Sequence, residues 1–353
     1  MSAPDSSLPG EVAAPHPDAP GRRSGAEAGA WRVPLLRWGI SVASLIAGLA
    51  ILVVFRRGVP HVEWIVGYVV VLWLLFAVLT QTRARLVTRG RHRVLFAADY
   101  TVQTLYHDLL LFVLPGYLAS TTFDGPTGPF FVLVCAAALL TTIDPWYAAV
   151  VGPRPGLGRA FFAFSLFTGL NVALPLLGVP PAWAVVGSAG LAVAGLAPAV
   201  IVSGTAWRRA LLALGGVALV APALAWVLMA AIPPAPLHLV RPTMARDVLD
   251  LEPVEPLGAR IPVAVLTAGA LVAYTPVSAP TGLSQPIVHR WRHRGRVVAT
   301  VPLPTPVRGG RAAGFRTYSR KTDFPVDPHG RWSVDVVTAS GQLIGRLRFT
   351  VTS

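Results

Sequence analysis

The sequence is short of charge, of lysine and of cysteine, and each shortage excludes something. Only 13% of its 353 residues are charged while 54% are hydrophobic, whereas a soluble domain carries about 25% charged residues. That deficit points to a multi-pass membrane protein. Lysine occurs once, as Lys321, outside every long apolar run. A retinal-type Schiff base, a Ser-Lys membrane peptidase and a G-x-x-x-x-G-K-[ST] nucleotide loop are thereby excluded. Cys135 is the single cysteine, so neither an intramolecular disulfide nor a multi-cysteine zinc site is expected. H-E-x-x-H and a convincing G-x-S-x-G elbow are absent. No metal, no cofactor and no catalytic residue are assigned, and the reading leans away from an enzyme.

What is present is apolar length. Residues 1–30, rich in Ala, Pro, Ser and Gly, are expected to form a disordered tail. No short signal-peptide core precedes residue 35, so the first apolar run is expected to act as an uncleaved anchor. Seven candidate spans follow, roughly Leu35–Phe55, Val62–Thr80, Ala97–Thr121, Pro129–Ala149, Ala160–Gly178, Trp183–Ser203 and Ala210–Ile232. Each approximates the ~20 apolar residues that cross ~30 Å of hydrocarbon. The formal charge of +14 is carried almost wholly by arginine. Arg22, Arg23, Arg32 and Arg37, then Arg83, Arg85, Arg89, Arg91 and Arg93, then Arg154, Arg159, Arg208 and Arg209 fall on one side of this bundle. Only Arg56 and Arg57 lie in loops of the other. The positive-inside rule then makes the amino terminus cytoplasmic and everything after Ile232 extracytoplasmic.

Residues 233–240 read as a stiff, proline-rich linker. From 241 to 353 the pattern changes to short strands separated by turns, with hairpins expected at Arg294-Gly295 and Ser340-Gly341. Candidate strands are Thr243–Leu251, Ile261–Tyr274, Pro286–His293, Arg296–Leu303, Ala312–Ser319, Trp332–Thr338 and Leu343–Val351. The fold class is thus an α-helical transmembrane bundle (31–232) followed by an all-β sandwich, immunoglobulin-like by architectural analogy.

Ionisable residues inside apolar runs are costly, which singles out Asp99–Tyr147. Asp99, Gln103 and His107 are spaced to line one side of the third span, with Asp108 beside them. Asp144 and Asn171 are expected at a similar depth. Two readings stand for His107 and Asp108: a proton-handling or ion-orienting polar site, or an interhelical hydrogen bond. Asp144-Pro145 also reads as a helix N-cap with a first-turn proline. Asp99 is expected to be a charge partner of the nearby arginine loop. In the β region, His289, Trp291 and His293 share one strand face, and Trp291 is expected in the core with Trp332. The two histidines are about 13 Å apart at ~3.3 Å per residue and cannot share a metal. Arg290, Arg292 and Arg294 take the other face, and Arg346 and Arg348 project from the last strand. This basic face suggests an envelope protein, an anionic polymer or lipid headgroups as partner, or simply solubility. Nucleic acid is not expected on the extracytoplasmic side.

The strand motifs carry a resemblance. Ile287-Val288-His289-Arg290-Trp291, Gly295, Gly330-Arg331-Trp332-Ser333-Val334, Gly341 and Phe349-Thr350-Val351 resemble the bacterial domain-of-unknown-function family twenty-nine fourteen. Gln103, Leu114-Pro115, Thr121-Thr122 and Asp144-Pro145-Trp146-Tyr147 make the membrane part similar to a second such family, fifty-nine twenty-four. Neither family has an established activity, so the resemblance implies architecture and no reaction. The resulting expectation is a multi-pass protein of the bacterial inner membrane that binds or scaffolds in the envelope. The alternative is a transporter or proton-coupled protein using the cluster around His107 and Asp108.

Overall fold

The computed structural model describes residues 62–202 and 207–353. The expected tail and the first span, Leu35–Phe55, lie outside the described residues. The helical part begins with α1 (Val62–Thr88) and α2 (His92–Ser120), joined by a tight turn in which Gly90 takes φ +66°. α3 (Gly128–Thr142), α4 (Asp144–Val150), α5 (Pro155–Leu176), α6 (Pro181–Ala194), α7 (Ala197–Val202) and α8 (Trp207–Val227) follow. Their shared core centres on α2, whose Leu109, Leu110, Phe112, Val113 and Tyr117 are buried with Phe162 and Leu166 of α5 and Leu72 of α1. Close helix contact is set locally by a glycine: a Cβ on Gly169 would sit 3.1 Å from both Leu109 and Val69.

Among the described residues, three helical segments are long and apolar enough to cross a membrane: Val66–Thr88, Pro155–Leu176 and Pro181–Val200. They correspond to the expected second, fifth and sixth spans. α3 and α4 make a fourth if a segment bent by 106° counts as one crossing. Seven crossings are therefore not supported. α2 has 29 residues but carries Arg93, Asp99, Gln103, His107 and Asp108, and the apolar stretch Leu212–Val227 of α8 is shorter than a span. Only 17% of the apolar window in α1 is buried, so Val70, Val71, Leu74 and Val78 turn outward, as a lipid-facing helix would.

The bend between α3 and α4 has a local cause. Ile143 is extended (φ −102°, ψ 92°), and Pro145 has no N–H with which to continue the helix. The Thr141 carbonyl, which residue 145 would otherwise engage, is left open to another donor.

The C-terminal region is β-rich. Its main strands are β1 (Thr243–Leu249), β2 (Glu252–Leu257), β3 (Arg260–Pro262), β4 (Leu271–Tyr274), β5 (Ile287–His293), β6 (Arg296–Pro302), β7 (Tyr318–Lys321), β8 (Gly330–Thr338) and β9 (Leu343–Thr352). They form one sheet in the order β7-β4-β1-β2 and another in the order β3-β9-β8-β5-β6. All pairings are antiparallel except β3 with β9. One core draws on both sheets, with Met244, Leu271 and Ala273 meeting Trp291, Trp332, Val334 and Phe349. Trp291 is fully buried and Trp332 nearly so; the Phe349 ring stacks on Trp332 and meets Trp291 edge-on.

The hairpin at Arg294-Gly295 has both residues at positive φ (49° and 82°), the backbone a two-residue turn demands. Gly341 takes φ 94° in the turn from β8 to β9. The strands expected at 261–274 and 243–251 are corrected. Val263–Thr267 is a short helix between β3 and β4. A further hairpin turns at Asp250 and Leu251, both at positive φ, and pairs β1 with β2. A leucine is a poor residue for that conformation, which is why no turn was readable there. The expected strand 312–319 is reduced to β7, preceded by a single bridge from Phe315 to Val277.

Candidate functional site

The polar residues of the bundle separate into three places. At the arginine-rich end, Gln103 of α2 is 8% exposed. Its Nε2 donates to the Thr141 carbonyl at 3.0 Å and to Asp144 Oδ1 at 2.6 Å. The first of these fills the acceptor that Pro145 leaves open. Asp144 therefore does not cap α4: the N-cap is Ile143, and no side-chain capping bond forms. One turn further along α2, buried His107 lies 3.1 Å by Nδ1 from Thr142 Oγ1, whose own proton goes to the Ala138 carbonyl. Asp108 is half-buried on the adjacent face and makes no side-chain hydrogen bond to another of the described residues. Asn171 does not join this level. Its Nδ2 donates to the Tyr117 hydroxyl at 3.0 Å, and that hydroxyl donates to the Thr168 carbonyl at 3.1 Å. Tyr117 lies ten residues beyond His107, about 15 Å along the helix. Asp99 forms a bidentate pair with Arg83 at 3.0 and 3.2 Å, as its position next to the arginine loop suggested.

Gln103, Asp144 and the Arg83–Asp99 pair edge a cavity of about 640 Å³, within the usual size range of small-molecule sites. Gln103, Asp144, Tyr100, Tyr106, Tyr147 and Phe76 line it, with half-buried Asp99 and exposed Arg83, Phe96 and Arg159. His107, Asp108 and Asn171 are not in its lining. Among the described residues no group of three or more His, Cys, Asp or Glu is arranged to hold a metal ion.

In the β region most arginines of the expected basic face have carboxylate partners within the chain. Asp335 on β8 is 4% exposed at its side chain and takes ion pairs from both neighbouring strands: Arg292 Nε at 2.8 Å from β5 and Arg346 Nε at 2.5 Å from β9. Arg346 also reaches Asp124 at 3.3 Å, and Arg348 pairs with the same carboxylate. Arg294 pairs with Asp327 at 2.7 Å. Four of the five expected partner-binding cations, all but Arg290, thus face carboxylates of this chain. Burial works against the charge on Asp124, but Arg348 and Arg346 outweigh it and hold its pKa below the usual carboxylate range. Asp124 belongs to the loop between α2 and α3, so these pairs join the β-rich part to the bundle. A Cβ on Gly125 in that loop would already sit 3.0 Å from Leu343. Gln342 Nε2 makes a long 3.4 Å contact with the Ile232 carbonyl.

His289 is the other buried polar group that spacing placed but did not explain. Its Nε2 lies 2.9 Å from Thr275 Oγ1 and its Nδ1 2.8 Å from Ser319 Oγ, which also accepts from Trp291 Nε1 at 3.0 Å. Because Trp291 can only donate, Ser319 is free to donate onward to Nδ1, and a neutral imidazole completes the chain. Burial lowers the His289 pKa to about 4. His293 lies 2.9 Å from the His329 carbonyl and stacks on Trp332.

No curated protein matches this chain significantly. Residues 284–351 match the protein of unknown function DUF2914. Residues 29–272, more than half of the sequence, match the family of unknown function DUF5924, and the chain belongs to that family.

Proposed function

We propose that this is an integral protein of the bacterial inner membrane, with a cytoplasmic amino terminus and a seven-span helical domain over 31–232. A linker over 233–240 leads to an extracytoplasmic β-sandwich over 241–353, and the protein binds or scaffolds in the envelope. The observation that carries this reading is the placement of the β-rich part. It meets the bundle at Asp124 and Ile232, whereas the turns holding Arg83–Arg93 and Arg154–Arg159 lie at the other end of α2, about 43 Å away at 1.5 Å per residue. Arginine-rich turns favour the cytoplasmic side, so the β-rich part belongs outside. α2 and α8, with 29 and 21 residues, have the length to add crossings once packed against neighbours. The ion pairs to Asp124 make the sandwich a fixed platform. Any partner then meets its remaining surface, which includes Arg290 and Arg331, rather than the paired arginines.

A periplasm-active reporter fused after Ser353 should be active, and an inactive fusion overturns the orientation. Deleting residues 241–353 should abolish function while Asp108→Asn is tolerated. The convergence of Gln103, Thr141 and Asp144 favours a second reading, transport or proton coupling through the bundle around His107 and Asp108. On that reading Asp108→Asn abolishes function in a protein that still inserts.

A further inference from the structure

The helix break at Ile143 turns α4 by 106° from α3, so where α3 runs across a bilayer α4 lies close to the membrane plane. Trp146 and Val150, one turn apart on α4, are exposed, while Tyr147 between them lines the cavity at this end. An outward tryptophan on a short helix at the end of a bundle suits the interfacial layer of a bilayer. Phe96 at the cavity mouth is 65% exposed. It stands three residues from Arg93, in a segment where Arg89, Arg91 and Arg93 are exposed too. Water suits the guanidinium groups but not the rings, whereas the bilayer interface takes both: rings enter the acyl region and guanidinium groups meet phosphates. The charge at this end favours an anion. Among the described residues its carboxylates are Asp99, paired with Arg83, and Asp144, which accepts from Gln103. Arg159 lines the mouth, is exposed, and enters no ion pair among the described residues. Most of the remaining lining is aromatic or aliphatic and accepts apolar surface.

We propose that this cavity holds one anionic phospholipid of the surrounding bilayer, with its phosphate at Arg159 and one acyl chain along the wall of Phe76, Phe96, Tyr100 and Tyr147. A guanidinium group matches phosphate oxygens in a forked, charge-assisted pair. A zwitterionic headgroup brings an ammonium group that the same arginine-rich rim repels, so the site discriminates by headgroup charge. The acyl chain asks for no hydrogen bond, so Gln103 keeps its bonds to the Thr141 carbonyl and Asp144. The inference rests on the membrane placement proposed above.

The test is native mass spectrometry of the full chain released from detergent micelles. The probes are phosphatidylglycerol, phosphatidylethanolamine and phosphatidylcholine with the same acyl chains. One phosphatidylglycerol molecule should stay bound at concentrations where the other two do not. Arg159→Gln should weaken that adduct about fivefold, the effect of one arginine near an anionic headgroup. Ala148→Trp, which blocks the cavity from an exposed position of α4, should remove it. Both positions are exposed, so neither variant disturbs the core. Arg331→Gln, at an exposed cation of the β-rich part, should leave the adduct unchanged. Equal retention of the three lipids, or an adduct indifferent to either cavity substitution, overturns the proposal. Glycerol phosphate at the same concentration should not displace the lipid; displacement assigns the site to a soluble phosphate ester and overturns the lipid reading. Washing vesicles with alkaline carbonate separates this proposal from the one it rests on. A chain that washes off overturns the membrane placement and the lipid site together, whereas a chain that stays but holds the three lipids alike overturns the lipid site alone.

Discussion

The helical and β-rich halves both bury polar side chains, but they satisfy them differently. In the bundle, Gln103, Tyr117 and Asn171 are uncharged and bond to carbonyls, a hydroxyl and one half-buried carboxylate. In the β-rich half, Asp335 is buried as an ion between two guanidinium groups. A neutral group can be anchored by whatever acceptor a helix break exposes. A buried ion needs its counter-charges delivered from neighbouring strands in register, as Arg346 is from directly opposite Asp335 and Arg292 from the diagonal position on β5. The halves should therefore respond unequally to losing one partner.

The largest effect is expected at Asp335. Asp335→Ala leaves Arg292 and Arg346 partly buried without their shared carboxylate, and breaking a buried ion pair from one side costs about 3–5 kcal/mol. Thermal unfolding of the purified protein followed by tryptophan fluorescence, which Trp291 and Trp332 report from the core, measures it. A change below that of Tyr117→Phe would erase the contrast. Arg346 is tied to both carboxylates, and its pKa is raised chiefly by the hydrogen bond to Asp335. Arg346→Met should therefore also loosen the junction with Asp124, seen as faster proteolysis between the halves.

Next in size is a pH effect confined to the β-rich half. The His289 pKa is about 4 in the folded protein against the ordinary histidine value of 6.5, so the unfolded chain binds the extra proton. Stability is then fully present above about pH 6.5 and lost as the pH falls toward 4, by up to about 3 kcal/mol. Unfolding monitored between pH 7 and pH 4.5 should show this loss in the native protein and a flatter profile in His289→Gln. A profile unchanged by that substitution would mean another group titrates there.

Tyr117→Phe should cost less, about 1–3 kcal/mol, because it strands the Asn171 amide as a buried unpaired group. Combining it with Asn171→Leu should recover part of the loss, since removing both partners is milder than removing one. Additive losses would show that Asn171 has a second role.

How much of this was readable beforehand follows from range. Periodicity gave the change from helical to β-rich structure near residue 235, the shared strand face of His289, Trp291 and His293 with Trp291 in the core, and the Arg294-Gly295 hairpin, because each is set within a few residues. The Asp99 pairing with Arg83 was also legible, since only a short turn separates α1 from α2. Asn171 was misplaced because the depth of a residue on one helix does not fix its level against another. Tyr117 was missed because a phenol in an apolar run looks like core until its hydroxyl finds a partner. The partner of the arginine face was not legible because Asp124 is more than 200 residues away in sequence from Arg346.

The smallest effect should fall at the rim of the cavity, where the contrast between the halves can be sharpened inside one class of interaction. Arg83 and Asp99 form a well-oriented bidentate pair, yet their side chains are 58% and 46% exposed. Exposed pairs are weakened by solvent and salt and contribute about 0–1 kcal/mol. Arg83→Ala should therefore barely shift unfolding in detergent, and less still at high salt, whereas loss of the carboxylate at Asp335 is expected to cost about 3–5 kcal/mol. The geometry of the two pairs is similar, so only burial separates them. If Arg83→Ala destabilises the protein as much as Asp335→Ala when the chain is in a bilayer but not in detergent, lipid buries the pair at that end, and burial, not the kind of secondary structure, sets its worth.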